Sequence, residues 1–156
     1  MAPEHDTSGF DCGEPSLNEW LRKRALRNEA SGASRTYVVC IGGTVIGYHT
    51  LAAGAVARDE APSPMRRNMP DRIPVVVLGR LAIDHRHQNQ GLGQALLRDA
   101  VLRALQAADR IGVTAILVHA ISDEAKRFYL SRGFIESPVE PMTLCLLLET
   151  ARQALR

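Results

Sequence analysis

Lysine is almost missing from this chain. Of its 19 basic residues only Lys23 and Lys126 are lysine, and the rest are arginine. Cysteine is scarce too. Cys12, Cys40 and Cys145 are odd in number and lack metal-ligand spacing, which excludes a disulfide framework and a cysteine-built zinc site. They read as buried, reduced thiols of a cytoplasmic protein. No apolar run approaches the ~20 residues that cross a bilayer, so no membrane association is expected. The opening Met1-Ala2-Pro3-Glu4-His5-Asp6 has neither a basic region nor an apolar stretch and does not read as a signal peptide. Repeats and low-complexity tracts are absent. The formal charge of +2 excludes little, and 46% apolar residues suit a globular protein. A length of 156 residues leads us to expect one domain, residues 1–156, around one core.

What is present is concentrated at Gln88-Asn89-Gln90-Gly91-Leu92-Gly93. An apolar run, Val75 to Ile83, precedes it. An amphipathic helical pattern beginning near Gly91 follows and carries Leu92, Ala95, Leu96, Ala100, Val101, Leu105 and Ala108. A strand that feeds a glycine turn and then a helix presents unpaired amides and about half a positive charge, which suits a phosphate group. The nucleotide-hydrolase loop needs Lys-Ser/Thr after its last glycine, but Gln94-Ala95 stand there. The dinucleotide loop needs a third glycine, and Leu96 occupies that position.

A third pattern, Gln/Arg-x-x-Gly-x-Gly/Ala after a strand, fits Gln88 to Gly93. A second strand and helix follow, Val113–Ala120 and Asp123–Ser131, and then Phe128-Tyr129-x-x-x-Gly133-Phe134. With both signatures in this order, the chain resembles the GNAT superfamily of N-acetyltransferases.

The remaining segments fit that resemblance. Leu17, Trp20, Leu21 and Ala25 mark a helix opened by Pro15. Thr36–Ile41, Gly42-Gly43 and Thr44–Ala53 read as a hairpin with a two-residue turn. Residues Val56 to Pro74, with four prolines, read as an exposed loop. Thr143 to Leu148 read as a last buried strand. The expected class is α/β, a central mixed sheet with helices on both faces, as in the GNAT acyl-CoA N-acyltransferase fold. GNAT domains open with a strand before the first helix. Only nine residues precede Phe10, so that strand is expected to be short or absent, unless the start lies upstream.

The resemblance also implies a site. Acetyl-CoA would lay its diphosphate on the amides of Gln88, Asn89, Gln90, Gly91, Leu92 and Gly93. Its pantetheine arm would pair with the strand at Leu81, Ala82 and Ile83, and Phe128 would border it. Tyr129 would act as the general acid that protonates the departing sulfur; the plain alternative is a packing aromatic, for which Phe128 is the better core candidate. His85 and His87 read as a solvated loop, His119 as either a structural histidine or a contact to cofactor or substrate, and no metal is expected.

Many GNAT enzymes carry a glutamate base on the central strand. Here Val75 to Asp84 offers only Arg80 and the terminal Asp84. A lysine amine, with a pKa near ~10.4, is neutral about 0.1% of the time at neutral pH; an α-amine, near ~7.7–8.0, about a quarter. That difference of roughly 300-fold, about 3.4 kcal/mol, favours an α-amino acceptor.

Arginines cluster at 20–35 and 62–94 while acids gather at 1–19 and beyond 120, which offers a phosphate-binding face. Phe10-x-Cys12, Leu17-x-x-Trp20-Leu21, Leu78 to Asp84, Val118-His119-Ala120 and Lys126 to Tyr129 together resemble the TacT-like GNAT toxins of bacterial toxin–antitoxin modules. That branch acetylates the α-amine on charged tRNA and blocks translation. It implies a ribbon-helix-helix antitoxin, a homodimer, and tRNA contacts from Arg80 and Arg86; the arginine clusters add Arg22, Arg66 and Arg67 as candidate tRNA contacts. Two other readings stay open: acetylation of a small-molecule or peptide amine, and a non-catalytic acyl-CoA-binding module.

Overall fold

The structure is a computed structural model that describes residues 1–155. Six strands form one mixed sheet in the order β1-β2-β3-β4-β6-β5. The strands are β1 (Arg35–Ile41), β2 (Thr44–Val56), β3 (Ile73–Ile83), β4 (Ala115–His119), β5 (Ile135–Glu136) and β6 (Thr143–Leu147). The helices are α1 (Pro15–Lys23), α2 (Ala25–Ser31), α3 (Ser63–Arg66), α4 (Leu92–Ala108), α5 (Asp123–Ser131) and α6 (Leu148–Ala154). The chain groups into two compact units, Met1–Ala52 with Leu78–Ala100, and Ala53–Val77 with Val101–Arg156.

In the first unit, β1 and β2 form the expected hairpin. Gly42 (φ 56°) and Gly43 (φ 84°) both take the left-handed backbone that a tight two-residue turn demands. Pro15 opens α1 as expected, but the helical segment is broken rather than continuous. Arg24, at φ −117° and ψ −29°, separates α1 from α2, although its amide still donates to Trp20 O at 2.8 Å and its carbonyl accepts from Asn28 N at 2.9 Å. Leu21 and Ala25, four residues apart on one helical face, bury together with Phe10, Val45, Tyr48 and Ala82. The opening residues contribute one parallel bridge, Asp6 to Thr44, in place of a strand.

The second unit is built on Val56, Ala61, Met65, Ile73, Val75, Ala115, Leu117 and Cys145. The segment read as an exposed loop is therefore corrected. β2 runs on to Val56, β3 starts at Ile73, and Ala61 (0% exposed) and Met65 (2%) anchor the span between them. Its prolines hide a short helix, α3, with Pro64 in the first turn. The reading of all three cysteines as buried is also corrected. Cys145 is buried, whereas Cys12 and Cys40 are half-buried; all three are free thiols. Among the described residues, no helix is long and apolar enough to cross a membrane.

Candidate active site

In the first unit β3 ends against β2, where the amide of Asp84 donates to Ile46 O at 2.8 Å. Successive strand residues point their backbone groups to opposite sides, so those of Leu81 and Ile83 turn away from β2. This is the orientation that the expected arm-pairing needs. Ala82 and Ile83 are buried and Leu81 is half-buried.

The chain then makes one 3-10 turn, His85–His87, and enters the loop. Asn89 (φ 63°) and Gly91 (φ 83°) are left-handed, so the chain turns sharply twice within three residues. Gly91 O accepts the amide of Ala95 at 3.1 Å, which starts α4. The first-turn amides, those of Leu92 and Gly93 among them, therefore have no carbonyl in a preceding turn. Gln88 to Gly91 are exposed, Leu92 and Gly93 half-buried, and no ionisable side chain lies between Gln88 and Gly93. An exposed, charge-free loop on the positive end of a 17-residue helix fits a diphosphate.

Below the loop lies a polar anchor that sequence reasoning missed. Asp84 is fully buried. Its Oδ1 accepts from Arg86 N and Arg86 Nε, each at 3.0 Å, and its Oδ2 accepts from Arg86 Nη2 at 3.3 Å and Asp11 N at 3.1 Å. The Arg86 guanidinium, opposed by burial and helped by the amides of Asp11 and Arg86, holds this carboxyl well below the usual carboxylate range. The Gln88 side chain turns inward: Nε2 donates to Ile83 O at 2.9 Å and to Cys12 O at 3.0 Å. His85 donates its amide to Asp11 O at 2.8 Å, and its Nδ1 lies 2.9 Å from the same oxygen. The Asp-x-Arg spacing after a strand, with its chance of a side chain capping its own turn, was the one available signal.

Three arginines of this unit, Arg22, Arg80 and Arg86, have partners. Arg22 donates to Phe10 O at 2.9 Å but is exposed. Arg80 lies 4.1 Å over the Trp20 ring, which stacks on Tyr48 at 6.0 Å. Arg86 holds Asp84 and is 58% exposed. In the second unit, Arg66 is half-buried and Arg67 exposed at the end of α3.

Tyr129 lies in the second unit on α5. Ser122 caps that helix by accepting the Ala125 amide at 3.1 Å, and Asp123 and Glu124 fill its positive first turn. Tyr129 is 8% exposed and Phe128 half-buried, so the core role expected of Phe128 belongs to Tyr129. Its ring meets Phe128 and Phe134, each with centroids 5.3 Å away, and its carbonyl accepts from Arg132 N and Phe134 N. These contacts fix the ring and backbone and leave the hydroxyl out. Burial pushes the phenol up to about 12. His119, exposed at the end of β4, has its Nδ1 2.9 Å from Thr143 Oγ1 on the paired strand.

The chain belongs to the GNAT acetyltransferase family: residues 32–136 match the model of the acetyltransferase (GNAT) domain. It is 53% identical, over 94% of its own length and 89% of the relative's, to a Mycobacterium tuberculosis protein named tRNA-acetylating toxin. Among solved structures it is similar to AtaT complexed with acetyl-methionyl-tRNAfMet, with 30% identity, TM-score 0.92 and coverage of 99% and 95% of the two chains. It is also similar to AtaTR bound with AcCoA, with 31% identity, TM-score 0.87 and coverage of 99% and 93%.

Proposed function

We propose that this chain transfers acetyl from acetyl-CoA to the α-amine of an aminoacyl-tRNA, as the toxin of a toxin–antitoxin module that blocks translation. The observation that carries this reading is the 53% identity to a tRNA-acetylating toxin across 94% of the chain. The base-free β3 supports it, because an α-amine needs little help to lose its proton.

When bound, acetyl-CoA supplies an acyl thioester, the electrophile. The amides from Gln88 to Gly93 hold its diphosphate, and the backbone of Leu81 and Ile83, with Ala82 between them, aligns its arm; Phe128 borders it. Tyr129 donates from its hydroxyl to the departing sulfur. A phenol near 12 stays protonated at every working pH. Complete transfer to a free thiolate, whose thiol lies near ~8.5, would run about 5 kcal/mol uphill. Tyr129 therefore acts as a donor that stabilises charge as the carbon–sulfur bond breaks.

Arg22 and Arg80 in the first unit, and Arg66 and Arg67 in the second, offer guanidinium groups to tRNA phosphates. The partners of this reading are charged tRNA, a ribbon-helix-helix antitoxin and a second copy of the chain, in the cytoplasm. Incubation with labelled acetyl-CoA and either charged or uncharged tRNA tests it. Label should enter charged tRNA only; label in neither, or in both alike, refutes it.

A further inference from the structure

We infer that Asp84 is a positioning residue for the phosphate loop, and that Arg86 serves the loop through it. The inference rests on the acetyl-CoA reading of that loop and assigns it a support that neither cofactor nor acceptor touches.

Three observations carry it. First, the Asp84 carboxylate is fully buried, yet both oxygens are filled, by two contacts each. A buried charge persists only where partners replace the water it lost. Second, the four contacts come from two directions. Arg86 lies two residues along the turn that leads to the loop. Asp11 lies 73 residues away in the segment before α1. Third, the same segment is fastened again around the carboxylate. Gln88 Nε2 bridges Ile83 O and Cys12 O, His85 is bound to Asp11 O, and Asp11 Oδ1 accepts from Asn18 Nδ2 at 3.0 Å. The root of the loop, from Ile83 to Gln88, is thus pinned at both ends, with Asp84 at the centre.

The loop itself needs such support. Gln88 to Gly91 are exposed, and nothing within 4 Å would meet a side chain at Gly91. Its amides bind well only when held in place before the anion arrives. An isosteric Asp84→Asn removes the charge and turns one acceptor atom into a donor facing donors. Either the Asp11 amide or the Arg86 contacts must then let go.

The experiment compares two acyl donors. Acetyl-CoA carries the phosphates; S-acetyl-pantetheine has the same thioester and arm without them. For Asp84→Asn, KM for acetyl-CoA should rise on the order of tenfold to a hundredfold, the range seen when a group that orients a binding shell is lost. The kcat at saturation should stay within about twofold, and kcat/KM with S-acetyl-pantetheine should match wild type. Arg86→Gln, which keeps the carboxylate and its amide contacts, should show the same split more weakly, and it carries the test if Asp84→Asn does not fold. Unchanged KM for acetyl-CoA overturns the inference. So does an equal loss with both donors, which would mean general damage to the fold. If wild-type protein itself does not prefer acetyl-CoA over S-acetyl-pantetheine, the phosphate-loop reading fails instead, whatever the variants do.

Discussion

Replacement of Gly91 by alanine isolates the part of the loop that is backbone geometry. Gly91 has φ +83°, and a Cβ built there meets no atom within 4 Å. Crowding inside the chain therefore costs nothing, and the whole penalty is the left-handed conformation, about 1–2 kcal/mol for an L-residue. The exposed loop can escape that strain by leaving the left-handed turn, which misdirects its amides. The population competent to bind then falls by roughly 5- to 30-fold, and the apparent Kd for CoA rises by the same factor. Thermal stability should hardly change, because the strain is shed locally. Gly91→Asn is the matched control: it adds the same Cβ, but asparagine tolerates left-handed backbone. Isothermal titration with CoA should find Gly91→Ala weakened 5- to 30-fold and Gly91→Asn within about threefold of wild type. Equal losses would show that a Cβ obstructs the ligand. No loss in either would show that the loop geometry does not matter. Both results refute the reasoning.

Tyr129→Phe keeps the ring contacts to Phe128 and Phe134 and removes only the hydroxyl. Steady-state kinetics should show kcat down about 10²- to 10⁴-fold with little change in KM for acetyl-CoA. The same variant tests the burial of the phenol. With its pKa raised from 10.0 to about 12, the folded chain binds this proton more tightly than the unfolded chain. That stability is complete below about pH 10 and lost as pH climbs through 12, so wild type should lose about 3 kcal/mol more than Tyr129→Phe across the window in urea unfolding. At Gly54 a Cβ would stand 2.6 Å from Val77 Cγ2. Gly54→Ala should cost about 1–3 kcal/mol and lower the melting temperature by about 2–12 °C, and Val77→Ala should recover much of it in the double variant. Arg67→Glu should raise KM for charged tRNA and flatten its salt dependence, while KM for acetyl-CoA stays fixed.

The features legible in the sequence were those whose cause is local. The phosphate loop is a strand, two glycines and a helix in succession, and α5 carries its cap, its acids and its tyrosine within ten residues. The hairpin turn follows from two adjacent glycines. What escaped depends on distance in the chain. Asp84 reads as a bare strand terminus until Asp11 arrives beside it. The seat of Arg80 on Trp20 joins residues sixty positions apart, so a cation that reads as free for RNA is already stacked. Four prolines between Val56 and Pro74 outweighed the apolar Ala61 and Met65, because helical periodicity cannot register in a helix of four residues. The deeper burial of Tyr129 than of Phe128 follows from which face of α5 turns inward. Both are aromatic neighbours, and only packing against Phe134 separates them.

Mass analysis of the aminoacyl-adenosine released by ribonuclease from charged tRNA tests the central claim most directly. After incubation with acetyl-CoA and wild-type protein, the aminoacyl group should carry one acetyl on its α-amine, and after incubation with Tyr129→Phe it should carry almost none. An unmodified aminoacyl group after wild-type treatment would contradict the account, as would equal acetylation by the two proteins.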